Sequence, residues 1–172
     1  MKTKQLTRTA LLIALLVAVQ YVTKAAGQFV TGSCVNLILA VAAALCGTWW
    51  AVAVALISPF CAFLLGIGTP IIQVVPAIAA GNAVFVLLLA KLGKRLTFRG
   101  GEVITVVIAA VVKFLVLWGL IVGLLLPLMG LPKPKVAALS AAFSWPQLIT
   151  ALIGGLVSLA VIRPLKKALK DV

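Results

Sequence analysis

The sequence predicts an all-α integral membrane protein with six transmembrane helices and both termini cytoplasmic, built as one membrane domain over residues 1–172. Three observations carry that expectation. Hydrophobic residues make up 65% of the chain and the mean hydropathy is +1.31, whereas a soluble domain is roughly half apolar. Turn signals and charges cut the chain into six apolar segments, and a spanning helix takes about 20 such residues. The basic residues, finally, gather on alternate connections between those segments.

The segments cover residues 9–23, 33–46, 49–65, 76–92, 103–126 and 144–162. The second is short for a crossing and is expected to tilt or to lengthen at its ends. The fourth is placed to begin at Pro76, because proline lacks an N–H that the first helical turn leaves unbonded anyway. Residues 66–75, "GIGTPIIQVV", are then an irregular apolar loop. The sixth opens with "SWPQ", where Ser144 is expected to cap the helix and Pro146 to sit in its first turn.

With six spans both termini share a side, which receives Lys2, Lys4 and Arg8, then Lys91, Lys94, Arg95 and Arg99, then Arg163, Lys166, Lys167 and Lys170. The opposite side receives Lys24, Lys133 and Lys135. Basic residues are retained inside, so the richer side is cytoplasmic. The formal charge of +13 therefore reads as topology and contact with anionic lipid. No basic stripe interleaved with aromatics points to nucleic acid. The basic start and first apolar run resemble a signal peptide, but "TKAAGQ" puts Lys24 where cleavage wants a small residue, and losing the span would upset the charge balance. The three cysteines, Cys34, Cys46 and Cys61, lie in or beside apolar spans without CxxC spacing, and they read as small packing hydrophobes.

The absences bear on mechanism. Glu102 and Asp171 are the only acidic side chains and there is no histidine, so neither a proton relay nor paired acid–base hydrolysis has its residues. No GxxxxGK[ST] phosphate loop is present. No cofactor or metal site is expected, and energy for uphill transport must come from another subunit.

One charge, Lys113, interrupts "VVIAAVVKFLVLW". About ten residues into the fifth span at 1.5 Å per residue, it lies roughly 15 Å deep. A central lysine costs about 2.5–3.5 kcal/mol on insertion scales, and no carboxylate shares its depth. Either it bonds backbone carbonyls and ties a loop to the helix, or it faces a solute and pairs with an anionic or electron-rich group. Other polar side chains fall on the same, extracellular half: Gln28, Thr31 and Asn36 around the first loop, Gln73 in the third, Asn82 in the fourth helix and Gln147 in the sixth. Singly each has a bland explanation, a solvated loop or a bond between helices. Trp145 and Phe143 lie at the outer mouth, where they can stack on a ring or anchor at the interface, while Trp49 and Trp50 read as belt residues on the other side. In the first span Ala10, Ala14 and Ala18 recur every fourth residue, a smooth strip that lets another helix, internal or external, approach closely.

Taken in order, "LTRTALLIALLVAVQ", "VTGSCVNLILAVAAALCG", "VPAIAAGNAVFVLL", "VVKFLVLW" and "FSWPQLITALIGGLVSLAVIRPLKK" resemble a substrate-binding S component of an energy-coupling factor (ECF) transporter over nearly the whole chain. The resemblance implies a six-helix protein of the prokaryotic cell membrane that captures a vitamin or related micronutrient from outside. It implies a transmembrane coupling subunit docked on an AxxxA strip, here Ala10, Ala14 and Ala18, and two cytoplasmic ATPases that drive the module as the S component topples. It names no substrate. The absence of histidine argues against nickel or cobalt, and Lys113 favours an anionic vitamin, with a neutral heterocycle on Asn82 and Gln147 as the other possibility. A self-contained channel or facilitator, with Lys113 lining its pore, and a structural subunit remain as readings from other classes.

Overall fold

A computed structural model describes residues 2–168; Lys170, Asp171 and the side chain of Lys2 lie outside the described part. The elements are helices α1 (Lys2–Thr23), α2 (Gln28–Leu45), α3 (Thr48–Leu64), α4 (Val75–Arg95), α5 (Gly101–Leu117), α6 (Leu126–Leu128), α7 (Lys133–Ala142) and α8 (Trp145–Ala168). A π-helical stretch, Trp118–Leu125, joins α5 to α6. Five helical runs are long and apolar enough to cross a membrane and α3 is a shorter apolar helix. The protein is an all-helical membrane protein.

The helix ends depart from the expected ones in an informative way. The second helix begins at Gln28, five residues before the expected start, because "QFVTG" is polar enough to look like loop while still helical. The fourth begins at Val75 with Pro76 in its first turn. Ser144 does not cap the last helix: its hydroxyl donates to the Ser140 carbonyl, one turn back. Helix α7 was not anticipated, since Pro132 just before it and its own Pro134 and two lysines break the apolar pattern. The π-helical widening sits just before Pro127, whose missing N–H and ring disturb the preceding turn.

Helices α2, α8, α5 and α4 pack in a ring, each against the next, and α1 and α3 pack on its outside against α2 and α4. The α2–α8 contact is close because both surfaces are small there: a Cβ on Gly154 would stand 2.3 Å from the Ser33 carbonyl oxygen. Small residues bring membrane helices together because backbones then approach and gain dispersion contacts. Leu39, Phe85, Val86, Ala109, Ala110 and Ala151 fill the middle of the ring and are fully buried. A second apolar cluster, with Leu117, Ile121, Leu126 and Phe143, closes the side towards α7. Helix α1 presents Thr9 and Leu16 to the interior and Ala10, Ala14 and Ala18 outward.

Candidate functional site

The end of the bundle that carries the α1–α2, α3–α4 and α7–α8 connections holds an open cavity of about 630 Å³, within the range of about 300–1,000 Å³ usual for small-molecule sites. Lys113 forms its floor. Its side chain is 2% exposed, and from Gly101 to Leu128 it lies close to mid-helix. The ammonium donates to the Asn36 amide oxygen at 2.5 Å and to the Asn82 amide oxygen at 2.7 Å, and lies 5.2 Å from the centroid of the Phe85 ring. The charge is thus met by side-chain carbonyls from α2 and α4.

Asn36 is fixed in turn. Its amide nitrogen donates to the Gly32 carbonyl at 2.8 Å and to the Thr150 hydroxyl at 3.4 Å. Thr150 donates onward to the Gln147 carbonyl at 3.2 Å. Higher in the cavity, Gln28 and Gln147 both donate to the Ala142 carbonyl, at 2.5 and 3.1 Å, so α2 and α8 hold the end of α7 over the opening. Thr31 donates to the Thr23 carbonyl at 2.8 Å, closing the α1–α2 turn.

Six of the residues singled out from sequence therefore converge on one cavity: Gln28, Thr31, Asn36, Asn82, Lys113 and Gln147. Two do not line it. Gln73 is exposed in the short 3-10 turn before α4. Trp145 is 57% exposed and packs on Phe29 with ring centroids 5.6 Å apart, because it opens α8 on the outer rim; its neighbour Phe143 is buried and does line the cavity. Sequence reasoning missed Gln20, Lys24 and Thr69, which also line it. Gln20 had a signal: it is a polar residue on the face of α1 opposite the alanine strip, in helical register with Leu16. Thr69 had none, since only the packing of its loop brings it inward.

The electrostatics are one-sided. Lys24 and Lys113 line the cavity and no carboxylate does. The only acidic side chain among the described residues, Glu102, sits at the other end of the bundle, 3.1 Å from Arg163. Two fixed positive charges with low-dielectric walls focus a field that draws anions. No group of three or more His, Cys, Asp or Glu that could hold a metal ion occurs among the described residues.

On the outside of the bundle, Ala10, Ala14 and Ala18 line a shallow apolar groove with Ile13, Val17 and Tyr21 of α1, Cys61 of α3 and Leu65 just after it. A helical membrane protein with a largely apolar cavity floored by a buried lysine, and with an exposed small-residue face, belongs to the class of membrane solute-binding proteins. Residues 4–165 match the family described as "ECF transporter, substrate-specific component", and the chain belongs to it. No curated protein and no solved structure is significantly similar to the chain.

Proposed function

We propose that the protein captures a vitamin or related small micronutrient, with high affinity, at the extracellular face of a prokaryotic cell membrane and passes it inward as one subunit of an ATP-driven transporter. The observation that carries this reading is the open-mouthed cavity with Lys113 at its floor, in a chain of a substrate-specific transport family. The basic termini-bearing end is cytoplasmic by the positive-inside rule, which turns the cavity outward. Lys113 then meets an anionic or electron-rich group of the solute. The alanine strip receives a transmembrane coupling subunit, and two cytoplasmic ATPases supply the energy, so the chain itself performs no catalysis.

A facilitator is the second reading. It is favoured by a cleft of about 210 Å³ at the opposite end of the same four helices, lined by Ala40, Ala90, Val106 and Ser158. Against it stands the buried layer containing Phe85, Ala110 and Ala151, which by helical register lies between the two cavities. Native mass spectrometry of the detergent-purified chain from rich medium, with identification of the small molecule released on denaturation, tests capture. A stoichiometric vitamin-like compound is expected; an empty protein that moves solute through liposomes without ATPases would establish the facilitator instead.

A further inference from the structure

We infer that the solute is an amphoteric acid bound in one orientation, with a carboxylate or similar oxyanion down on Lys113 and Asn82 and an N–H- or O–H-bearing end up among the rim glutamines. This rests on the capture reading and gives it a substrate class.

The argument is donor and acceptor accounting. An ammonium only donates, so its bonds to Asn36 and Asn82 turn both amide oxygens towards the lysine and both NH₂ groups away. The Asn36 NH₂ is occupied by Gly32 and Thr150. The Asn82 NH₂ donates to no group among the described residues, and neither does the third N–H of Lys113. The floor therefore offers donors and a positive charge. Both donors face the cavity, so an acceptor on the solute completes the floor.

The rim supplies acceptors that the floor lacks. A carbonyl only accepts, so Gln28 and Gln147 must present their nitrogens to Ala142, which leaves their oxygens without donors from the described residues. Gln28 stands eight residues before Asn36 on α2, about 12 Å higher at 1.5 Å per residue, so one elongated molecule can touch both ends. Lys24 also lines the mouth, with its ammonium 4.6 Å from the Tyr21 ring centroid. There it adds to the field that draws the acid in while the glutamine oxygens receive the donor end.

The test uses the full chain in detergent, with calorimetry and thermal shift on matched probes that carry a donor end: pantothenate against panthenol and biotin against biotinamide. At least one acid is expected to bind ten-fold or more tighter than its neutral partner. Asn82→Asp is expected to abolish that preference, because the new carboxylate pairs with Lys113 and repels the acid, while the apo melting temperature holds since Lys113 keeps its partner. Gln28→Leu is expected to weaken the same acid several-fold without changing the acid-to-neutral ratio. A neutral partner that binds as tightly as its acid overturns the inference and leaves capture standing, as does unchanged acid binding by Asn82→Asp. Silence of the whole panel overturns the substrate class, while the co-purified solute judges capture separately.

Discussion

Asn36 and Asn82, on different helices, aim their amide oxygens at a single atom, the ammonium nitrogen of Lys113, at 2.5 and 2.7 Å. The lysine thus ties α2, α4 and α5 together while forming the cavity floor, and the two roles separate on substitution. Replacing it with methionine removes a central charge whose insertion costs about 2.5–3.5 kcal/mol. The same change leaves two buried amide oxygens without donors, at about 1–3 kcal/mol each. These effects nearly cancel, so Lys113→Met is expected to fold with little change in melting temperature. Its solute affinity is expected to fall at least ten-fold by calorimetry. Unchanged affinity in a folded variant would remove Lys113 from the binding site.

The close α2–α8 approach makes a second prediction. A Cβ at Gly154 meets backbone, 2.3 Å from the Ser33 oxygen and 2.7 Å from the Leu37 nitrogen, whereas one at Gly155 meets the Val106 side chain at 2.6 Å. A side chain can rotate and a helix backbone must move as a body. Overpacking costs about 1–3 kcal/mol, and Gly154→Ala is expected at the upper end, Gly155→Ala lower. Because the displaced segment of α2 carries Asn36, Gly154→Ala should also weaken solute binding. Equal melting temperatures for the two variants would contradict this account.

The Glu102–Arg163 pair joins α5 to α8 at 3.1 Å, with side chains 58% and 78% exposed. Solvent and salt screen such pairs, which contribute about 0–1 kcal/mol. Glu102→Gln is therefore expected to shift the melting temperature only slightly and to leave solute affinity unchanged. A large loss of either would mean that this end of the bundle is coupled to the cavity far more tightly than its exposure implies.

Much of this architecture was legible in the sequence because the membrane imposes simple rules: apolar length marks a span, and an unpaired central charge marks something that must be satisfied. Those rules brought Lys113, Asn36 and Asn82 forward together without showing that they touch. The contact depends on how α2, α4 and α5 rotate about their axes, which packing at Gly154 and Gly81 decides. The same limit explains Gln73 and Trp145: the end of the bundle they occupy follows from order along the chain, but their direction around the rim does not. Helix α7 escaped notice because "PKPK" reads as a break, although Pro134 falls in a first turn where proline is tolerated.

The alanine strip gives the last prediction. Ala10, Ala14 and Ala18 are exposed on one face of α1 and line the apolar groove beside α3, whereas Gln20, on the opposite face, lines the cavity. A bulky residue at the middle of the strip should therefore act on one function only. Ala14→Trp would hold a partner helix several ångströms away from a surface whose attraction depends on close backbone approach. Nothing from the cavity lies on that face, so solute affinity should remain at the wild-type value. Co-expression with a coupling subunit and its ATPases, followed by affinity purification through the coupling subunit, reads the effect. The wild-type chain is expected in the complex and the Ala14→Trp chain is expected to be lost from it while still binding solute alone. Recovery of an intact complex with the variant would show that the coupling subunit docks elsewhere on the bundle.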